Sequence, residues 1–303
     1  MTVGVRALML LFPLLAAAIS GGLHTPQPLS DRDRATTVRA QTKLPPLPDW
    51  ALNALPDFSS YRDTTEKKAA FFSFLYPRIV LANSRILMER QVLQSLRQKT
   101  SLSPAETAWL QRQSERLRVN EDQPRAQQLQ KLATKLDVVP PSLVMAQAAN
   151  ESAWGTSRFA TQGNNLFGQW CFKLGCGLVP RNRGEGRSHE VARFASPYQS
   201  VRAYIDNLNR HPSYRQLRAI RAQARANGRM ADGILLATGL ESYSERGAHY
   251  VEEIQAMIRF NNLAFYDRQF ADTLGDRSRQ RLNQLALARD AATLMPSVGG
   301  SEG

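Results

Sequence analysis

The first regular pattern in the chain is a helical repeat of apolar residues at positions 66 to about 99. Pro77 interrupts this repeat, which predicts either two helical pieces or one kinked helix. The capping-box sequence at 103–106, Ser-Pro-Ala-Glu, predicts a second helix that ends near Leu117. An apolar stripe indicates a third helix at about 124–136, which ends where further prolines follow.

The next segment, residues 141–152, is almost wholly apolar and small until it ends in Asn150, Glu151 and Ser152. Pro141 suits the first turn of a helix because its missing N–H has no helical partner there. A helix that is apolar on most of its sides is buried on most of its sides. The carboxyl group of Glu151 is therefore expected at the end of a core element and not on a solvated face.

Beyond this helix the composition changes to glycine, asparagine and aromatic residues. Two β-prone pieces, at about 176–180 and 189–195, flank a turn-rich stretch and predict a small β-hairpin. Further helices are expected after the capping box at Ser196, and at about 213–227, 230–238 and 247–259. The predicted fold class is mainly α (α+β): a helical domain with a small β-hairpin lobe, preceded by N-terminal helices.

The two ends of the chain differ from its middle. A short apolar run within residues 1–20 ends in small residues, which is typical of a signal peptide, with an uncleaved N-terminal anchor as the alternative. Residues 21–60 are rich in proline and predict an extended linker, followed by an N-terminal helical region over 61–130. Residues 271–303 predict a helical piece within a partly disordered tail. The chain is therefore expected to be exported, and in a Gram-negative cell to reach the periplasm.

The formal net charge of +13 favours an acidic partner. For an exported chain that partner is anionic cell wall or a membrane surface, and the sequence carries no recognised nucleic-acid-binding motif. The basic residues are dispersed, so a solvated surface is the plainer interpretation of the charge. The sequence makes no prediction of oligomeric state.

Cys171 and Cys176 are the two cysteines of the chain. They lie close enough to form a disulfide if the chain turns at Gly175, and export favours that oxidised state. A closed zinc site would need further ligands, and the four histidines are scattered without ligand spacing. Neither a metal nor any other cofactor is expected.

Glu151 is the candidate for acid chemistry. A glycosidic bond breaks through an oxocarbenium-like transition state, and its leaving oxygen needs a proton from an acid that is still protonated near neutral pH. Apolar helix neighbours and a nearby Trp154 would raise the pKa of a buried glutamate. A structural hydrogen-bonding role for a lone glutamate at a helix end is the alternative.

The sequence Ala148–Gly155 (AANESAWG), followed by Asn164–Gly168 (NNLFG), resembles the signature of a bacterial N-acetylglucosaminidase family in the lysozyme-like superfamily. The continuation through 169–180 is similar to the Bax-like branch of Gram-negative bacteria, and the resemblance covers about residues 137–262. It implies a lysozyme-like glucosaminidase domain over 131–270 with Glu151 as general acid.

The resemblance also implies which residues bind substrate or assist the acid. The Asn-Asn-Leu-Phe-Gly stretch would line the glycan groove, although a structural turn would explain it equally well. Tyr250 matches a late family tyrosine that positions the substrate or the attacking group, with a core tyrosine as the alternative. The implied substrate-binding residues are Trp154, Asn164, Asn165, Phe167 and Gly168.

The chain departs from the family pattern at the second carboxylate. The first predicted hairpin strand holds no glutamate, which leaves Glu185 and Glu190 as candidates for the second carboxylate. Glu190 is preferred as the catalytic residue, and Glu185 is placed with the substrate-binding residues. A substrate-assisted mechanism, in which the sugar's own 2-acetamido oxygen attacks, would need no second carboxylate.

These observations together predict an exported hydrolase of the β-1,4 glycosidic bonds of peptidoglycan, cutting next to N-acetylglucosamine. A muramidase or lytic transglycosylase would cut the other glycosidic bond with a similar single acid. A protein that binds the cell wall without catalysis is the alternative from another functional class.

Overall fold

A computed structural model describes residues 42–296 of the chain, apart from Asn182 and Glu185. These described residues contain eleven α-helices, five short 3-10 helices and one small sheet, which confirms the predicted mainly α (α+β) fold. The first five helices are α1 Thr64–Arg97, α2 Pro104–Leu117, α3 Arg125–Lys135, α4 Pro141–Ser152 and α5 Arg158–Gly163. The strands are β1 Trp170–Cys171, β2 Gly177–Leu178 and β3 Glu190–Ala192. The remaining helices are α6 Pro197–Arg210, α7 Arg215–Ala226, α8 Gly233–Ala237, α9 Ala248–Phe260, α10 Ala264–Thr273 and α11 Arg279–Ala286.

Helix α4 lies at the centre of the core. Every residue from Pro141 to Ala149 is buried, and α1, α8, α9 and α10 all pack against this helix. Asp267 of α10 fixes its first turn, because its carboxylate accepts hydrogen bonds from the backbone N–H of Ser142 (2.8 Å) and of Gly233 (3.0 Å). The expectation of a helix buried on most sides is met, and the helix can present only its C-terminal end to solvent.

The sheet has the order β1-β3-β2 and is antiparallel throughout. β2 and β3 correspond to the two pieces of the predicted hairpin, and β1 adds a third strand at the other edge, where two residues are too few for a sequence pattern. In the register Gly177 lies opposite Ala192. A Cβ at Gly177 would lie 2.0 Å from the carbonyl oxygen of Val191, so this position requires glycine.

Helix α1 runs without interruption for 34 residues, with Pro77 inside it. Of the two alternatives, a single helix forms and the two separate pieces do not. Apolar residues on several faces bury this helix against α3, α4, α6 and α11. The N-terminal helices therefore pack directly on the helices of the predicted catalytic domain.

The segments that flank the helical body are also packed. Trp50 and Phe58, in the stretch predicted as an extended linker, are 9% and 1% exposed, and the indole N–H of Trp50 donates to the carbonyl of Ala288 (2.7 Å). Helix α11 packs on α1 and buries Leu282 and Leu285, in the stretch predicted as a tail. The predicted signal peptide, the linker up to residue 41 and residues 297–303 lie outside the described residues.

Two charge clusters join the helices. In the first, the carboxylate of Glu89 on α1 contacts Arg116 of α2 (2.9 Å) and Arg202 of α6 (2.8 Å), and Asp206 contacts both arginines as well (2.8 and 3.3 Å). Because two acids face two arginines, this first cluster is electrically balanced where α1, α2 and α6 meet. The second cluster surrounds Asp137.

In the second cluster, the carboxylate of Asp137 lies between three arginines and is almost fully buried. Arg225 binds it with two nitrogens, Arg90 lies 3.5 Å away, and Arg221 binds the Asp137 carbonyl (3.2 Å). Burial alone would raise the pKa of Asp137, but the three arginines outweigh burial and lower it. The segment that leads into α4 is thereby held to α1 and α7.

None of the helices in the described part of the chain combines the length and the apolar sequence that a bilayer crossing requires.

Candidate active site

Three consecutive residues in left-handed conformation end α4 abruptly. Ala153, Trp154 and Gly155 have φ values of 50°, 58° and 78°. The hydroxyl of Ser152 donates to the Ala148 carbonyl (2.5 Å) and accepts from the Gly155 N–H (2.8 Å), which ties the turn to the helix. A Cβ on Gly155 would lie 2.6 Å from the Phe58 ring. The Glu-Ser-x-Trp-Gly motif therefore encodes a tight turn that leaves Glu151 at the tip of a buried helix.

The carboxyl group of Glu151 is the end of a buried hydrogen-bond chain formed by Tyr204, Gln147, Tyr250 and Glu151. The Tyr250 hydroxyl donates to Oε1 of Glu151 (2.7 Å) and accepts from Nε2 of Gln147 (2.7 Å). Oε1 of Gln147 in turn accepts a short hydrogen bond from the Tyr204 hydroxyl. Tyr204, Gln147 and Tyr250 are at most 1% exposed. The Tyr250 oxygen accepts the hydrogen bond from the Gln147 amide, so its own proton is free to donate to Glu151.

Burial raises the pKa of Glu151, while hydrogen bonds from Tyr250 and Asn150 and the charge of Arg246 oppose the rise. The net shift is upward. Burial and the neighbouring Glu151 raise the pKa of Tyr250, which keeps this phenol neutral. A carboxyl group with a raised pKa beside a neutral donor suits a general acid, because it keeps its proton closer to neutral pH than an exposed glutamate does.

Glu151 opens onto a cleft of about 590 Å³. Its walls come from the loop before the sheet, the sheet itself, the ends of α2 and α6, and the turns that carry Tyr214 and Tyr243. The lining residues are Arg118, Glu151, Phe167, Gly168, Gln169, Trp170, Phe172, Asn207, Arg210, His211, Tyr214 and Tyr243. Aromatic rings with amide and basic groups between them suit a sugar polymer, which offers C–H faces for stacking and hydroxyl groups for hydrogen bonding.

Two of the predicted substrate-binding residues, Phe167 and Gly168, line this cleft. Asn164 caps α5 in a left-handed conformation and donates to the Phe194 carbonyl (3.0 Å). Asn165 is 1% exposed, donates to the carbonyls of Gln169 (2.9 Å) and Ala192 (2.8 Å), and accepts from two backbone N–H groups. Both asparagines thus hold the backbone that presents Phe167 and Gly168. They match the alternative of a structural turn that the sequence left open for this stretch.

Trp154 does not belong to the described cleft lining either. Its ring packs against Phe71 and Phe72 of α1, with ring centroids 5.8 and 5.4 Å apart, and Lys68 lies 5.0 Å from its centroid. The side chain therefore anchors the turn after α4 to α1.

Glu190 holds the turn of the β lobe. Its carboxylate accepts from the backbone N–H groups of Gly175 (3.0 Å) and Gly177 (2.7 Å), and these two bonds lower its pKa. The residue is 3% exposed and is not among the described residues that line the cleft. A carboxylate with these two backbone partners serves the loop between Cys171 and Cys176. Glu185 lies outside the described residues.

Cys171 and Cys176 form the predicted disulfide, with Cα atoms 6.2 Å apart. Their sulfur atoms and a Glu190 oxygen lie within 4.8 Å of one another, the arrangement of a three-ligand metal site. Disulfide sulfurs are not the thiolates that bind metals, and the Glu190 oxygens already accept backbone N–H groups. The cluster is therefore built to close the loop.

Several cleft residues escaped sequence reasoning. Trp170 and Phe172 are 55% and 73% exposed, and the Trp170 ring stacks on His189 with centroids 4.0 Å apart. Both lie in the stretch that carried the family resemblance, where two aromatic residues flank a cysteine. Gln147 was also missed, although it stands four residues before Glu151 in an apolar helix and so shares its face. Nothing local in the sequence marks the other missed lining residues, Arg118, Gln169, Asn207, Arg210, His211, Tyr214 and Tyr243.

Comparison with known proteins shows which family the chain resembles. The sequence model of the family described as mannosyl-glycoprotein endo-beta-N-acetylglucosaminidase, named Glucosaminidase, matches residues 126–263. Protein bax of Escherichia coli (strain K12) is 35% identical over 210 residues, which cover 69% of this chain and 75% of that protein. The chain belongs to the glucosaminidase family. No solved structure matches the chain significantly.

Membership of the glucosaminidase family places the chain among glycoside hydrolases. The family segment begins at residue 126 and includes Glu151, Tyr250 and most of the cleft. Arg118 is the one lining residue that precedes that segment. The N-terminal helical region of the chain therefore contributes to its cleft.

Proposed function

We propose that this glucosaminidase is an exported peptidoglycan hydrolase that cleaves β-1,4 glycosidic bonds next to N-acetylglucosamine, with Glu151 as its general acid. Family membership supplies the glycosidase chemistry. The choice of bond, the cell-wall substrate and the site residues are parts of the proposal.

One observation carries the proposal: a carboxyl group at the end of a buried helix opens onto the cleft and is held by a neutral phenol. Glu151 accepts from Tyr250 through Oε1, which leaves Oε2 to carry the transferable proton. In the forward step this proton passes to the leaving glycosidic oxygen as the bond from the anomeric carbon to that oxygen breaks. The carboxylate that forms keeps the Tyr250 hydrogen bond, which stabilises its new charge.

The lining of the cleft favours substrate assistance for the attack on the anomeric carbon. Glu151 is the one carboxylate among the described lining residues, and Glu190 is committed to the Gly175–Gly177 turn. In the assisted route the 2-acetamido oxygen of the substrate bonds to the anomeric carbon while Glu151 protonates the leaving group. Water then opens this cyclic intermediate and returns a proton to Glu151, so that the enzyme is restored.

Export is supported by two features of the chain. Residues 1–20 have the pattern of a signal peptide, and the disulfide between Cys171 and Cys176 suits an oxidising compartment such as the periplasm. The net charge of +13 favours attraction to anionic cell wall.

Digestion of purified peptidoglycan followed by mass analysis of the new ends tests the proposal. We expect N-acetylglucosamine at the new reducing ends, and Glu151→Gln should abolish release. Glu252→Gln is the matched control, since its carboxylate is exposed and contacts His249 (3.5 Å) instead of the cleft. New N-acetylmuramic acid ends would identify a muramidase, and anhydro-muramic ends a lytic transglycosylase. Wall binding without any release would identify a non-catalytic protein.

A further inference from the structure

The cleft lining includes a group of basic residues. Arg118 directly follows α2, while Arg210 is the last residue of α6 and His211 directly follows it. All three line the cleft that holds Glu151. Two separate helices therefore bring positive groups to the same wall.

These cations have no acidic partner within the described part of the chain. None of the ion pairs there includes Arg118 or Arg210, in contrast to the balanced cluster around Glu89. The Nε atom of Arg210 is buried without a hydrogen-bond partner. Burial lowers the pKa of His211, and the charges of Arg118 and Arg210 lower it further, which indicates how closely the positive groups lie. Unpaired positive charge in a cleft attracts an anion.

We propose that Arg118 and Arg210 form a subsite for a carboxylate carried by the glycan substrate. The inference rests on the proposed function, because peptidoglycan carries carboxylates on its stem peptides, and on its lactyl groups wherever the stem peptide has been removed, whereas chitin-type glycans are neutral. Guanidinium groups match the planar geometry of a carboxylate and bind it with charge-assisted hydrogen bonds. The subsite would distinguish the cell wall from neutral polymers of N-acetylglucosamine.

The position of Arg118 gives the N-terminal helices a part in recognition. Arg118 adopts a left-handed conformation (φ 51°) that ends α2, two residues after Arg116. Arg116 is fixed by its ion pairs to Glu89 and Asp206, so the end of α2 is tied to α1 and α6. Since Arg118 lies before the family segment, this half of the subsite belongs to the N-terminal helical region.

Binding measurements on the full mature chain test the subsite, with Glu151→Gln present throughout so that no ligand is cleaved. Arg118→Asn removes the cation but tolerates the left-handed conformation, and Arg210→Gln removes the second cation. We expect each to weaken binding of soluble peptidoglycan fragments up to about fivefold, and binding of neutral chitin oligosaccharides by much less. Arg112→Gln is the matched control, because Arg112 is exposed on the same helix and does not line the cleft.

Two forms of the glycan distinguish the sources of the carboxylate. Strands freed of stem peptides by an amidase lose the peptide carboxylates and gain free lactyl carboxylates, because the amidase cuts the amide bond between the lactyl group and the peptide. A weakening seen with these strands assigns the subsite to the lactyl carboxylate, and a weakening confined to peptide-bearing fragments assigns it to the peptide. Equal weakening for acidic and neutral glycans, or none for either, would overturn the subsite while leaving the proposed function intact. If the parent protein neither binds nor cleaves any of these glycans, the proposed function itself fails.

Discussion

Replacing Tyr250 by phenylalanine isolates the contribution of the buried hydrogen-bond chain to the acid. The variant keeps the aromatic ring and its stacking on Tyr243, whose centroid lies 5.3 Å away, but removes the hydroxyl that donates to Glu151. That hydroxyl favours the ionised form of the carboxyl group, since it donates to it. Its loss should therefore raise the pKa of Glu151 beyond the rise that burial causes.

The magnitude follows from the energy of one hydrogen bond to a charged group. Such a bond contributes about 1.5–3 kcal/mol, and about 1.4 kcal/mol corresponds to one pKa unit. The basic limb of the pH–rate profile should therefore move upward by about one to two pH units. The carboxylate formed in the transition state loses the same bond, so kcat should fall by about ten- to a hundredfold at the optimum. Gln147 also loses a buried partner, which should lower the free energy of unfolding by about 1–3 kcal/mol.

Initial rates of release of soluble fragments from peptidoglycan, measured across pH, provide the assay. Tyr243→Phe is the control, because its hydroxyl donates to the Phe167 carbonyl (3.1 Å) and not to Glu151, so the basic limb should stay in place. A Tyr250→Phe variant with an unshifted limb and normal kcat would refute the assigned role. A downward shift of the basic limb would show that the Tyr250 phenol stabilises the protonated form of Glu151 and not the ionised form.

Three further outcomes follow from the structure. Because the folded-state pKa of Glu151 is raised, its ionisation weakens the fold as pH rises through that pKa. Glu151→Gln should therefore melt higher than the parent at pH 7, and the difference should vanish below about pH 4.3, the value for an unperturbed glutamate. Asp137→Asn leaves three buried or half-buried arginines uncompensated and should cost about 3–5 kcal/mol in urea melts, whereas a loss below 1 kcal/mol would contradict the assigned role. Since the pKa of Asp137 is lowered, its contribution in the parent should be lost as pH falls through that pKa. Trp170→Ala should weaken binding to insoluble wall about tenfold. Leu174→Ala removes a still more exposed apolar side chain four residues later, outside the described cleft lining, and should not weaken it.

The sequence predicted most elements of the fold because their signals are local. The capping box at Ser103 forms with both of its hydrogen bonds, and helices α2, α3 and α4 begin within a residue of their expected starts. Helices α5 and α10 were missed. The first is only six residues long, and the second follows α9 across the short turn at 261–263 without a strong break signal. Packing that involves distant residues, such as Trp50 on Ala288, leaves no local pattern.

The candidate site was less predictable than the fold because a family signature mixes two kinds of residue. Ser152 and Gly155 shape the backbone turn, and Asn165 holds the following loop, yet they stand beside Glu151 in the same motifs. Sequence position alone does not separate a residue that faces the cleft from one that supports it. Arg118 and Tyr214 reach the cleft only through the tertiary packing of α2 and α6.

The choice of a phenol as the partner of Glu151 is what keeps the acid usable. A lysine or arginine at the position of Tyr250 would stabilise the carboxylate strongly and hold it ionised at neutral pH. Arg246 is the cation whose charge lowers the pKa of Glu151. This charge is opposed because Glu253 pairs with Arg246 at 2.5 Å and raises the pKa of Glu151 in its own right. With the charge of Arg246 balanced and Tyr250 neutral, burial determines the direction in which the pKa of Glu151 shifts. Arg118 and Arg210 have no acidic partner within the described part of the chain, and both line the cleft, where they can bind an anionic substrate.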